Sequence, residues 1–206
     1  MATILLFRHG QTHWNAVKRI QGWTDSASPL TLAGIEQARV YGQAVRTLIG
    51  KDREWRVIAS PLARCAQTTA ILCETAGLDF HAVTFDDRLR EVGTGIYTGW
   101  LRPDLEVRHP ELMDGTGSAT WYFRCPEGET HADLSRRIAA WLEERRPEEK
   151  LVVVSHGVSS KVLRGLYAGL DQETVLGEDA PQDALFLLRA GTCTRLACAG
   201  VTEALS

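Results

Sequence analysis

The 206-residue chain has no apolar run that approaches the ~20 residues a membrane-spanning helix needs. It has no block of like charge either. Lys and Arg number 23 against 26 Asp and Glu, and a formal net charge of -3 argues against a nucleic-acid face or a polybasic membrane patch. No Cys-x-x-Cys pair occurs. Five cysteines lie scattered at Cys65, Cys73, Cys125, Cys193 and Cys198, an odd number that points to buried free thiols in a reducing compartment. No charged leader with a cleavage site precedes the first apolar run, so a cytoplasmic protein is expected. Carboxylates and histidines do not cluster at metal-ligand spacing, so neither a metal nor a cofactor is expected. Internal repeats, low-complexity linkers and breaks in composition are also missing. One domain over residues 1–206 is therefore expected, with a hydrophobic fraction of 44% adequate for a sizeable core.

What is present alternates between short apolar runs and helical periods. Thr3–Phe7, Trp55–Ala59 and His81–Phe85 read as strands, and Leu151–Val154 is a continuous apolar run typical of a strand buried on both faces. Helices are expected over Leu32–Ile49 with Thr31 as N-cap, and from Ser60-Pro61 to about Ala76 with Ser60 as N-cap and Gly77 as terminator. Further helices are expected near Asp104–His109, over Thr130–Arg146 with Thr130 and Asp133 close to a capping box, and from Val158 to about Tyr167. Trp14–Ser28 and Arg88–Gly99 read as loops. Ala184–Leu188 and Thr194–Cys198 read as a hairpin at the sheet edge. The alternation implies an α/β fold: a three-layer α/β/α sandwich whose sheet is mostly parallel, with an antiparallel edge.

Polar groups fall at three strand ends: Arg8-His9, Ser60 with Arg64, and Ser155-His156. In a parallel sheet those ends converge on one edge, where open α/β sheets bind ligands. Two arginines, two histidines and the amino ends of two helices make a compact cationic site that suits a dianionic phosphoryl group.

The chain resembles the histidine phosphatase superfamily, also called phosphoglycerate mutase-like. The matches are Arg8-His9-Gly10-Gln11-Thr12 with Trp14-Asn15, Gln21-Gly22, Pro29-Leu30-Thr31, Gly34 with Gln37-Ala38, and Ser60-Pro61-Leu62 with Arg64 and Gln67-Thr68. They continue with Leu89 and Glu91, Gly95 with Tyr97 and Gly99, Pro126 with Gly128-Glu129-Thr130, and Val154-Ser155-His156-Gly157. The resemblance implies that His9 is a nucleophile carrying a phosphoryl group as phosphohistidine. It implies that Arg8, Arg64 and His156 hold the phosphoryl oxygens, and that Glu91 donates the proton to the leaving oxygen. Asn15, Gln21 and Gly22 sit where the family contacts phosphate or substrate. Arg102 lies where its mutases carry a basic residue. A plain alternative for Glu91 is a surface ion pair with Arg88, Arg90 or Arg102.

Two departures stand out. The link Asp25–Pro29 is slightly long for the family. The segment 100–126 is short for a phosphoglycerate mutase and reads as a lid or specificity segment, with Trp121-Tyr122-Phe123 as a packed cover or a stacking platform. The expected activity is metal-independent hydrolysis of a small phosphorylated metabolite by a monomer or homodimer. A phosphoglycerate mutase and a non-catalytic phosphate-binding regulator are the alternatives.

Overall fold

The computed structural model describes residues 1–23, 28–113, 120–201 and 205. Six strands form one sheet: β1 (Thr3–Arg8), β2 (Trp55–Ala59), β3 (Thr84–Phe85), β4 (Lys150–Ser155), β5 (Ala184–Arg189) and β6 (Thr192–Ala197). Their order is β3-β2-β4-β1-β5-β6. The first four are parallel, and antiparallel pairing is confined to the β1–β5 and β5–β6 side. Around the sheet lie α1 (His13–Ala16), α2 (Leu32–Ile49), α3 (Ala63–Ala76), α4 (Arg102–Arg108), α5 (His131–Glu143), α6 (Gly157–Ala168) and α7 (Gln172–Gly177).

The period-2 alternation of the central strands divides the core in two. Leu5, Phe7, Val152 and Val154 face α2 and α3, together with Tyr41, Val45 and Leu72. Ile4, Leu6, Leu151 and Val153 face α5 and α6, together with Leu134, Ile138, Trp141 and Leu163. Burial on both faces is why these strands read as unbroken apolar runs, and it gives the expected three layers. No helix among the described residues is long and apolar enough to cross a membrane.

Several elements differ from the sequence reading. α3 starts at Ala63, not at Ser60-Pro61, and its N-cap is Leu62, which makes no side-chain cap bond. The Ser60 hydroxyl has its short bond elsewhere, to His156 Nε2 at 2.7 Å, and only a long one, 3.4 Å, from Leu62 N. Strand His81–Phe85 shrinks to Thr84–Phe85, because the Asp79 carboxylate accepts from His81 N at 2.9 Å and starts a 3-10 turn over Phe80–Ala82. The stretch read as a loop from Trp14 begins within the one-turn α1, closed by a reciprocal cap between Thr12 and Asn15. α7 was not foreseen. The capping box of α5 forms as expected between Thr130 and Asp133. The Asp25–Pro29 link lies largely outside the described residues.

The register sets the site. Arg8 pairs with Ser155, and Ala59 with Val154, so β1, β2 and β4 end together. Beyond that edge the chain turns at Gly10 against the first turn of α2. A Cβ on Gly10 would run into the carbonyl oxygen of Gly34, and one on Gly34 into that of Gln11. Only a pair of glycines allows two backbones this close.

Candidate active site

A cavity of about 610 Å³ opens at this edge. Arg8, His9, Arg64, Glu91 and Gly157 line it, and so do Asn15, Lys18, Arg19, Gln21, Gly22 and Arg102. Trp121 and Tyr122 supply an aromatic wall. Residues 50 to 150 positions apart in the chain meet there because four elements end on one edge.

His9 is 2% exposed, and its Nδ1 donates to its neighbour's carbonyl, Gly10 O, at 2.8 Å. That bond sets the tautomer and leaves Nε2 with its lone pair. Burial first, then the charges of Arg64 and Arg8, hold the ring well below the usual imidazole range. At neutral pH it is an uncharged base between two cations.

Arg64 rises from the first turn of α3 and is 3% exposed. Its NH2 donates to Gly22 O at 2.8 Å, and its Nε donates to His156 Nδ1 at 3.1 Å. Since Nδ1 of His156 accepts, Nε2 carries the proton and donates to Ser60 Oγ. His156 is fully buried and edge-on to His9, with ring centroids 5.2 Å apart. The ring expected to meet the phosphoryl oxygens thus stands against both Arg64 and His9. Both of its nitrogens are committed, and burial and Arg64 keep it neutral.

Arg8 points across the edge, with NH1 donating to Ala180 O at 2.7 Å. Burial pulls its pKa down while Glu91 opposes this, and arginine remains cationic even so.

Glu91 is not the surface ion pair that its neighbours suggested. Arg88 pairs with Asp86 and Glu144, Arg90 with Asp87, and Arg102 with Glu106. The Glu91 carboxylate instead sits on the amino end of α6. Its Oε1 accepts from Val158 N and Ser159 N, both at 3.1 Å, and from Val92 N at 3.0 Å. Oε2 receives one longer bond, 3.3 Å from Val158 N. The amino end of α6 therefore serves this carboxylate, not the phosphoryl pocket directly as the sequence reading had it. A Cβ on Gly157 would lie 3.6 Å from both Glu91 Oε2 and the Arg8 guanidinium, so this glycine keeps the space between them clear. Arg137 fixes the Glu91 loop by donating to the carbonyls of Arg88, Arg90 and Glu91. It also binds both oxygens of Glu129, which removes Glu129 as a rival acid.

Of the less specific expectations, Asn15 commits Oδ1 to Thr12 N at 3.1 Å, so only its amide nitrogen is left for a ligand. Gln21 and Gly22 line the cavity, and Gly22 has φ 49°. Arg102 lies over the Trp121 ring, 5.4 Å from its centroid, and joins the 100–126 segment to the cavity. Sequence reasoning missed Lys18, Arg19 and Lys161. The signal for Lys161 was available: it follows Gly157 by four residues and so shares a helix face with it. Among the described residues, no group of three or more His, Cys, Asp or Glu is placed to hold a metal ion.

The two buried neutral rings carry a pH signature. An unfolded histidine takes up a proton near pH 6.5, whereas His9 and His156 resist it in the folded state. Below that pH the unfolded chain binds more protons, so stability falls as pH falls, by up to about 1.4 kcal/mol per pH unit for each ring. Urea unfolding followed from about pH 7.5 to 5 should show this slope, and His9→Ala should remove about half of it. A slope unaltered by His9→Ala would mean that the ring is charged in the fold.

Comparison with known proteins gives the family and the fold. Residues 4–189 match the model of the histidine phosphatase superfamily, branch 1. The probable phosphoglycerate mutase GpmB of Yersinia pestis (strain Pestoides F) is 37% identical over 177 residues, covering 82% of this chain and 76% of that protein. Among solved structures, the alpha-ribazole phosphatase of Shigella flexneri superposes with a TM-score of 0.76 at 21% identity, over 99% of both chains. A mycobacterial glucosyl-3-phosphoglycerate phosphatase complexed with VO3 superposes with a TM-score of 0.70 at 23% identity, over 96% of this chain and 97% of that one.

Proposed function

Because the chain belongs to the histidine phosphatase superfamily, branch 1, we propose that it is a phosphomonoesterase that hydrolyses small phosphorylated metabolites through a phosphohistidine on His9. One observation carries this reading: His9, neutral and with Nδ1 locked on Gly10 O, lines the cavity together with Arg8 and Arg64. In the first step His9 Nε2 attacks phosphorus in line with the leaving oxygen. The two guanidinium groups draw off charge on the equatorial oxygens, and Glu91 delivers a proton to the leaving alkoxide. In the second step Glu91 takes a proton from the water that attacks phosphohistidine, which returns His9 and releases inorganic phosphate. His156 acts on Arg64, and the Ser60–His156–Arg64 chain of hydrogen bonds keeps that guanidinium aimed.

A second reading, phosphoryl transfer between positions of a phosphoglycerate, is favoured by the 37% identity to GpmB and by Arg102 in the cavity wall. An assay of phosphate release from an aryl phosphate, beside one of phosphoglycerate interconversion, separates the two. Release alone supports the phosphatase and interconversion the mutase. Neither activity would leave a phosphate-binding regulator.

Charge at the phosphoryl group comes from arginine in this mechanism, so activity is expected to survive EDTA. Full loss in EDTA, restored by a divalent ion, would overturn the mechanism.

A further inference from the structure

Between α7 and β5 the chain runs Glu178-Asp179-Ala180-Pro181-Gln182-Asp183 across the carboxyl edge of β1. Two bonds from this strap reach the site. Ala180 O accepts from Arg8 NH1 at 2.7 Å, and Gln182 Nε2 donates to His9 O at 2.8 Å. The strap is tied down in turn by Arg164 of α6, a guanidinium only 1% exposed. Arg164 NH1 donates to Glu178 Oε2 at 2.5 Å and NH2 to Asp179 O at 3.2 Å, while its Cζ lies 3.8 Å from the centroid of the Phe186 ring on β5. A buried cation stays in place only when it is paired, and Glu178 is its one ion-pair partner among the described residues.

We infer that Arg164, Glu178 and Gln182 are positioning residues, which set the Arg8 guanidinium and the His9 backbone through this strap. β1 ends at Arg8, and past that residue the sheet holds the chain by the His9 N–H alone, which donates to Ser155 O at 2.9 Å. Among the described residues, the one hydrogen-bond partner of the Arg8 guanidinium is a strap carbonyl. Transfer to a phosphoryl group is sensitive to such aim, since a misplacement of about 1 Å costs on the order of 10²-fold. Arg195 of β6 adds an exposed second tie, at 3.1 Å from Asp179 Oδ2.

This inference rests on the phosphatase reading, and its test includes a measurement that needs no turnover. Gln182 lies partly at the surface, so Gln182→Ala should leave the fold intact, whereas Glu178→Gln keeps a carbonyl acceptor for Arg164 but removes its ion pair and should fold with lowered stability. For each purified variant, thermal melting, aryl phosphatase kcat/KM and calorimetric affinity for inorganic phosphate are measured. Gln182→Ala is expected to melt near wild type and Glu178→Gln lower but still folded at the assay temperature, with phosphate affinity and kcat/KM each lowered about tenfold. Normal phosphate affinity in both folded variants would overturn the inference, whatever the activity. Weakened phosphate binding in a chain whose wild type hydrolyses no phosphomonoester would uphold the inference and sink the phosphatase reading.

Discussion

His9→Ala is expected to abolish turnover, by at least about 10⁴-fold in kcat, since loss of a nucleophile leaves only binding and charge stabilisation. The protein should still fold. What links His9 to the sheet is its backbone N–H, which donates to Ser155 O at 2.9 Å, and alanine keeps that bond. The side chain's own bond is local, to Gly10 O. Loss of the ring also leaves Arg8 and Arg64 in place, so the variant should bind inorganic phosphate or vanadate as well as wild type does. The check is a single preparation assayed for circular dichroism, phosphate affinity and phosphate release. A folded variant that keeps more than a trace of activity would show that His9 is not the nucleophile. Acid-labile phosphate trapped on the wild type should likewise be missing from the variant.

Glu91→Gln should divide substrates by the basicity of their leaving groups. The glutamine carbonyl can keep the Oε1 bonds to Val158, Ser159 and Val92, so the cap on α6 survives and only the weakly bonded Oε2 position changes character. An alkyl phosphate leaves as a strongly basic alkoxide, and its transfer to His9 should slow by about 10²–10⁴-fold without a proton donor. A nitrophenyl phosphate leaves as a weak base, so its first step should slow far less. The attacking water would still lack its base. With the aryl substrate the expected course is a fast burst of phenolate, slow phosphate release and accumulation of phosphohistidine. Equal slowing of alkyl and aryl substrates, without a burst, would remove Glu91 from the acid role. Glu129 is not the replacement, since Arg137 holds both its oxygens; Asp25, outside the described residues, would be the carboxylate to test next.

Much of this was legible before any coordinates. The apolar runs of β1 and β4 and the Thr130–Asp133 box carry local signals, because strand burial and helix capping are decided within a few residues. The Arg8-His9, Ser60–Arg64 and Ser155-His156 clusters were legible for a related reason: parallel strands must end on one edge, so polar residues at their ends converge. The start of α3 differs because Ser60-Pro61 is a good local cap, yet the short bond of its hydroxyl goes to His156, 96 residues away, and only a long one comes from Leu62 N.

What the sequence by itself determined is the alternation of strands and helices, the family motifs, and the identity of the cationic groups at the sheet edge. Tertiary structure alone decided the partners. It settled that Glu91 lies on the amino end of α6 while three nearby arginines pair elsewhere, that His156 stands behind Arg64, and that Lys18, Arg19 and Lys161 enter the cavity. It also decided that a strap held by the buried Arg164 reaches Arg8 and His9. The reason is physical. Helix and strand periods depend on neighbours in sequence, whereas a buried charge or hydrogen-bonding group is satisfied by whichever donor or acceptor the packing of distant elements brings within about 3 Å.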